Sequence, residues 1–359
     1  MGQRNVSVGI VGVGYWGPNL VRSFAETPQC EVRYVCDRRQ DALARINKRF
    51  AHVRTTTRFE DLLEDRDLDG IVIATPAATH AALAAQALQA GKHVLVEKPL
   101  AHNVESGEHL VALAREQKRT LMVGHTFEYN AAVCKLREVI EDPAFGDVVY
   151  AYSRRVNLGV LRDDVNALWN LAPHDVSIIL YLFDEYPTCV TAQGLAHIRP
   201  GVEDVAFAYL EFPSGRAAHI HVSWLDPSKV RNMTVIGARR MAIYDDLDPE
   251  AKIKIYDRGF EIEPVTSGID HASSTSYTFR ARAGDIICPH IEWKEPLALE
   301  CRHFVDVIRD GGAPLTDGEN GLRVVRILAA ATESMRQGGH RMDLVPVQVN
   351  RRGANAYEK

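Results

Sequence analysis

The chain has 359 residues, 46% of them apolar and 25% charged, the balance of an ordinary globular protein too long for a single core. Its net charge of −5 gives no electrostatic reason to bind nucleic acid or an anionic membrane. No apolar run approaches the roughly 20 residues that span a bilayer, no signal-peptide layout opens the chain, and the six cysteines form no C-x-x-C pair, which predicts a reduced, cytoplasmic protein.

The first third alternates strand and helix. Val6–Val11 is an apolar run, the pattern of a strand buried on both faces. Gly12-Val13-Gly14-Tyr15-Trp16-Gly17 then fits G-x-G-x-x-G, with Pro18 early in the following helix. Strands at Glu31–Cys36, Gly70–Ala74, His93–Val96 and Leu121–Val123 alternate with helices at Asp41–Phe50, Phe59–Leu63, Thr79–Ala90 and Val104–Gln117. Gly91 sits where a helix-terminating glycine belongs. This rhythm predicts an α/β, doubly wound parallel sheet covered by helices.

Beyond about residue 125 the pattern changes. A helix at Ala131–Ile140 precedes strands at Val148–Val156, Ala206–Phe212, Ala217–Trp224, Met233–Ile236 and Ala242–Tyr244, with a Pro213-Ser214-Gly215 turn between two of them. Short turns between strands predict an α+β domain with an open, mainly antiparallel sheet. Pro173 reads as first-turn proline of a helix, which places Asn170 in the loop before it. Two helices come late, the second opening on the capping box Thr316-Asp317-Gly318-Glu319. The Ser/Thr-rich segment Val265–Thr278 is the candidate mobile loop. The domains are 1–125, binding a dinucleotide, and 126–359, binding substrate.

Each motif has a chemical reading. At a strand-to-helix turn, Gly12, Gly14 and Gly17 let a pyrophosphate approach bare backbone and the positive end of a helix. Tyr15 and Trp16 lie in the same loop. Asp37 closes the second strand, where a carboxylate holds ribose hydroxyls and repels a 2′-phosphate, so NAD is favoured. Arg38 and Arg39 beside it leave NADP as the alternative. Thr75, Pro76 and His80, at the end of the Gly70–Ala74 strand, complete the cofactor set with Glu97. Glu97-Lys98-Pro99 follows the His93–Val96 strand, so Lys98 points towards the nicotinamide end of the crevice. A lysine among apolar strand ends can exchange a proton near neutral pH.

GVGYWG, ATPAATH (74–80) and GKHVLVEKPLA (91–101), with WNLAPHD (169–175), KEPLALECRHF (294–304) and PLTDGENGLRVVRIL (314–328), resemble the glucose–fructose oxidoreductase / inositol dehydrogenase / rhizopine-catabolism (Gfo/Idh/MocA) family, in its nucleotide-sugar branch. The likeness covers essentially the whole chain. It implies a Rossmann domain, an open second sheet that builds a homo-oligomer (dimer or tetramer), a cis Lys98–Pro99 bond, and Lys98 with His174 framing the substrate carbon. Many dehydrogenases of the family carry an aspartate four residues before that histidine. Here it is Asn170, which can hold a hydroxyl but cannot take its proton.

Substrate candidates are Arg155, Asn157 and Arg162, for a phosphate or carboxylate, and Tyr129 and Trp169, to stack on a sugar. Solvated arginines and core aromatics are the competing readings. His219 and His221 share a strand face without further ligands at metal spacing, so no metal is expected. The expected activity is NAD(P)-dependent oxidation of a secondary alcohol of a sugar or nucleotide-linked sugar, or reduction of the matching ketone, with Lys98 and His174 handling the proton. An NADPH-dependent ketoreductase of a deoxysugar pathway is the alternative enzyme. A non-catalytic NAD-binding sensor is the alternative of another class.

Overall fold

The computed structural model describes residues 4–159, 161–162, 165–264 and 277–347. Six parallel strands form the first sheet: β1 (Val6–Val11), β2 (Cys30–Cys36), β3 (Arg54–Thr56), β4 (Gly70–Ile73), β5 (His93–Glu97) and β6 (Leu121–Gly124). Between them run α1 (Gly17–Glu26), α2 (Gln40–Arg49), α3 (Glu60–Glu64), α4 (His80–Gln89) and α5 (Val104–Glu116). The strand order is β3-β2-β1-β4-β5-β6, so the topology reverses direction between β1 and β4. In such sheets ligands bind outside the strand C-termini at that point. β1, β4 and β6 are buried along their whole length, which is why they read as apolar runs instead of alternating ones.

A second, mixed sheet follows α6 (Ala131–Glu141). Its strands include β7 (Val148–Leu158), β8 (Cys189–Leu195), β9 (Val205–Glu211), β10 (Ala217–Ser223), β11 (Leu225–Gly237), β12 (Met241–Asp245) and β13 (Ile253–Tyr256). β14 (Gly259–Pro264) and β15 (Tyr277–Arg282) pair separately, while β16 (Ile286–Ile287) and β17 (Met342–Asp343) close the edges of the nine-stranded sheet. Most pairs are antiparallel, as expected from the short turns, but β7 and β10 run parallel. That pair needs a crossover, and α7 (Ala167–Phe183) with β8 and β9 supplies it. Apart from Tyr277 and Thr278 in β15, the Val265–Thr278 segment lies outside the described residues.

Two late helices return to the first sheet: α8 (Pro296–Asp310) and α9 (Gly318–Arg336). The Phe304 ring meets Phe24 of α1 edge-on at 6.2 Å. Gly318 and Gly321 bring α9 against Leu121 and Val123 of β6, where a Cβ would come within 2.8 and 2.5 Å of those side chains. The C-terminal helices therefore pack back on the first sheet, α8 against α1 and α9 against β6. Among the described residues, no helix is long and apolar enough to cross a membrane.

Candidate active site

The glycine loop has the shape its spacing predicts. Gly12 has φ +91°, and a Cβ there would lie 2.7 Å from Ala74 O. A Cβ on Gly17 would lie 2.0 Å from Gly12 O, so only glycine lets α1 start this close to the turn. Gly14 faces nearly open space instead, its virtual Cβ meeting only Arg39 Nη2 at 3.9 Å. The bare cradle and the N-terminus of α1 behind it fit a dinucleotide's phosphates. Asp37 Oδ2 accepts from Val13 N at 2.8 Å, and Oδ1 from Arg39 N at 2.9 Å. The acid at the end of β2 thus holds the loop as well as the place of the ribose. Asp37→Asn is expected to weaken NAD about tenfold and to narrow the preference over NADP, read by parallel titrations of the two cofactors. Equal NAD affinity in the variant contradicts this role.

A cleft of about 750 Å³ runs from this loop to the second sheet. Gly14, Tyr15 and Trp16 line one end, Thr75, Pro76, His80 and Glu97 the middle, and Lys98, Asn170 and His174 the far end. Glu97 ends β5 over Gly124, where a Cβ would lie 3.0 Å from the carboxylate. Burial pushes its carboxyl up to about 7, against the pull of the Lys98 charge. Its Oε1 is buried with no hydrogen bond of good geometry among the described residues, although the Trp16 indole lies close enough to steady the carboxylate; a bound group could complete it.

Lys98 follows across a cis bond to Pro99, as the family likeness implies. Its Nζ donates to Asn170 O at 3.1 Å. Burial lowers the ammonium to about 8; Glu97 opposes the shift, and Arg155, Arg162 and Arg231 add to it. That value suits a group that must both take and give a proton near neutral pH. His174 lies one turn beyond Asn170, with its ring edge-on to Phe127 at 5.0 Å. Burial first, then the positive charges of Lys98 and Arg155, push it well below its ordinary value. It is therefore neutral at physiological pH, and its buried Nδ1 has no hydrogen-bond partner among the described residues.

The helix carrying these residues corrects an expectation. α7 starts at Ala167 with Asn166 as its cap, accepting from Trp169 N at 3.0 Å, so Pro173 lies inside the helix. Asn170 is consequently helical and on the same face as His174. Pro173 has no N–H for the Trp169 carbonyl one turn earlier, and its ring crowds that carbonyl. The helix is thus open on this side, and the next carbonyl, that of Asn170, receives Lys98. Asn166 is a residue type that caps helices, a signal that the reading from Pro173 did not use.

Known proteins share this arrangement along the whole chain. Residues 6–125 match the profile described as "Oxidoreductase family, NAD-binding Rossmann fold", and residues 133–243 match "GFO/IDH/MocA C-terminal domain". The chain belongs to the Gfo/Idh/MocA oxidoreductase family. It is 28% identical over 330 residues to a UDP-N-acetylglucosamine 3-dehydrogenase of Acidithiobacillus ferrooxidans, spanning 92% of this chain and 96% of the relative. Identity to a scyllo-inositol 2-dehydrogenase (NAD(+)) of Bacillus subtilis is 24%, over 97% of each. Among solved structures, GenD2 from gentamicin A biosynthesis, in complex with NAD, superposes with a TM-score of 0.80 at 25% identity, covering 96% and 97% of the two chains. The protein is thus an oxidoreductase with an NAD-binding Rossmann domain.

Within this Gfo/Idh/MocA chain several expected contacts fall elsewhere. Tyr129 is fully buried, its hydroxyl 3.0 Å from His303 Nδ1 and 3.3 Å from Thr316 Oγ1, away from the cleft. Arg155 is buried beneath the site, with Nε donating to Asp175 Oδ2 at 2.7 Å and its guanidinium over the Phe127 ring. Asp175 accordingly faces Arg155 and does not stand in for the missing family aspartate. Asn157 and Arg38 are absent from the cleft lining; Arg38 is exposed, and Asn157 lies half-buried near the end of β7. His80 braces two loops, its ring nitrogens 2.8 Å from Pro99 O and 2.9 Å from Thr75 O, which leaves neither for a cofactor.

Arg162 and Trp169 do line the cleft, and Trp169 Nε1 donates to Thr332 Oγ1 at 2.9 Å. Sequence reasoning missed Arg231, Asn130 and Trp293, which reach the cleft from β11, the start of α6 and the loop before α8. It also missed Arg22, whose Nη2 and Nη1 lie 2.5 and 3.1 Å from the Glu295 carboxylate, closing α1 against that loop. None of these stands in a motif; only the returning chain brings them together.

Proposed function

We propose that this protein is an NAD-dependent dehydrogenase that oxidises a secondary alcohol of a sugar or nucleotide-linked sugar, or reduces the matching ketone. The observation that carries the reading is Lys98 Nζ held by the Asn170 carbonyl beside His174, at the far end of a cleft that opens on the glycine loop. When bound, the nicotinamide supplies the acceptor or donor of the hydride. Lys98 as the free amine takes the hydroxyl proton during oxidation and, as ammonium, returns it during reduction. His174, neutral and wedged against Phe127, holds the substrate hydroxyl beside it, and Asn170 orients the same oxygen. Gly12, Gly14, Gly17, Asp37, Thr75, Pro76 and Glu97 hold the cofactor.

Arg162 and Arg231 bring two cations to the substrate end, with Trp169 and Trp293 as stacking surfaces. A phosphate or carboxylate on a sugar matches that set, as does the nucleotide sugar named for the Acidithiobacillus relative. Residues 1–125 serve the cofactor and 126–359 the substrate, in a cytoplasmic setting that suits cysteines of which none forms a disulfide. The test mixes the protein with NAD or NADP and a panel including UDP-N-acetylglucosamine and scyllo-inositol, and follows absorbance of the reduced nicotinamide. A rise with one sugar class supports the reading. Cofactor binding without reduction across free and nucleotide-linked sugars, in either direction, removes it in favour of a sensor.

The outer face of the second sheet is the proposed oligomer interface. Tyr150, Tyr152, Phe207 and Tyr209 stand exposed on it at 36–42%, and Phe207 stacks on His221 at 4.5 Å. Aromatic, weakly charged faces of this kind are covered by partners, and a second copy is the partner proposed. Phe207→Glu is expected to halve the mass seen by light scattering while leaving the fold intact; an unchanged mass moves the interface elsewhere.

A further inference from the structure

The amide of Asn170 has two ends with opposite chemistry, and which end faces the substrate decides what the site can recognise. Amide orientation is usually ambiguous in a structure. Here a donor-only neighbour settles it: Trp224 Nε1 lies 3.2 Å from Asn170 Oδ1, and an indole N–H can only donate. Trp224 is itself firmly held. It is 2% exposed, its backbone N–H donates to Asp204 O at 2.9 Å, and its carbonyl accepts from Gly159 N at 3.1 Å. With Oδ1 engaged behind, Nδ2 has no partner among the described residues, and Asn170 lines the cleft.

Resting on the catalytic reading above, we infer that Trp224 is a positioning residue that fixes Asn170 as a hydrogen-bond donor to the substrate's reacting oxygen. A ketone oxygen accepts from two donors, the Lys98 ammonium on one side and the Asn170 amide on the other. An alcohol oxygen accepts from the amide and gives its own proton to the Lys98 amine. Asn170 transfers nothing and keeps both amide hydrogens; it stabilises charge that builds on the oxygen. An aspartate in this place would present an acceptor instead and repel a ketone oxygen. The asparagine therefore suits the site to a ketone or alkoxide, with Lys98 alone handling the proton.

The test is a double-mutant cycle of Trp224→Phe and Asn170→Leu, using the sugar that wild type turns over in the panel and its keto form. Each single variant is expected to lose about tenfold in kcat/KM with NADH affinity unchanged. In the Asn170→Leu background, Trp224→Phe is expected to cost nothing more, because Trp224 acts through Asn170. An equal loss in both backgrounds, or none in wild type, overturns the inference. A readout without turnover comes from protein labelled with ¹⁵N at its four tryptophans. The Trp224 indole signal, identified by its loss in Trp224→Phe, moves upfield in Asn170→Leu if the hydrogen bond exists, and an unmoved signal counts against it. Should Trp224→Phe not fold, Asn170→Asp serves: the KM for the ketone rises about tenfold, and an unchanged KM is an overturning result. If Lys98→Ala keeps full turnover, the underlying catalytic reading fails; if it is inactive while the cycle is additive, only the role of Trp224 fails.

Discussion

Lys98→Ala is expected to lower turnover by about 10²–10⁴-fold, the usual share of a general acid–base group, while NAD still binds with wild-type affinity. The side chain reaches the far end of the cleft, away from the glycine loop and Asp37 proposed for the cofactor. The pH dependence adds a second check. Oxidation needs the free amine, so its rate rises as pH passes through about 8 and levels off above it. Reduction needs the ammonium, so its rate is full below about 8 and falls above. His174 contributes no break near the ordinary histidine value, because burial and the neighbouring cations hold it neutral there. Wild-type turnover in Lys98→Ala, or identical pH profiles in the two directions, would sink the assignment.

Arg155→Ala is expected to cost about 3–5 kcal/mol of folding stability, because it strands a buried carboxylate. The Arg155 and Asp175 side chains are only 6% and 3% exposed, 2.7 Å apart. Their burial is affordable only as a pair. The combined Arg155→Met and Asp175→Leu protein is expected to recover most of the loss, since two apolar groups of similar volume leave no unpaired charge. Urea unfolding midpoints of the three variants decide it, and a loss below about 1 kcal/mol in Arg155→Ala would show a surface-like pair. Activity should suffer in the double variant even where stability returns. The Arg155 guanidinium lies over the Phe127 face at 4.7 Å, and Phe127 wedges His174. The arginine read from the sequence as a substrate ligand is instead buried against Asp175 and Phe127 and does not line the cleft.

Much of the molecule was legible before folding, and for local reasons. The doubly buried strands, the glycine turn, the acid that closes β2 and the lysine that closes β5 are each set by residues adjacent in the chain. The first sheet repeats one unit, so reading one strand–helix step reads them all. The late cap falls one residue beyond the capping box expected from Thr316 to Glu319: Asp317 caps α9, its side chain accepting from Asn320 N at 2.7 Å, while Thr316 is buried beside Tyr129. The start of α7 was missed because two local rules conflict there. Asn166 signals a helix start, and Pro173 suggests a later one; packing of the long apolar helix against the second sheet favours the earlier.

The direction of side chains across elements could not be read in the same way. Strand alternation allowed Arg155 to point either way, and only its burial against Asp175 of α7 shows which. Tyr129 looked available to a sugar until α8 and α9 returned and placed His303 and Thr316 against its hydroxyl. Arg22, Arg231, Trp224 and Trp293 carry no motif, and they meet the site because α8 crosses back over α1 and the second sheet folds against α7. The sequence by itself determined the Rossmann fold, the cofactor loop and the lysine, since these depend on contacts between chain neighbours. The tertiary structure alone decided what surrounds the reacting oxygen, because hydrogen-bond direction and burial arise from residues far apart in sequence that meet only when the two sheets close.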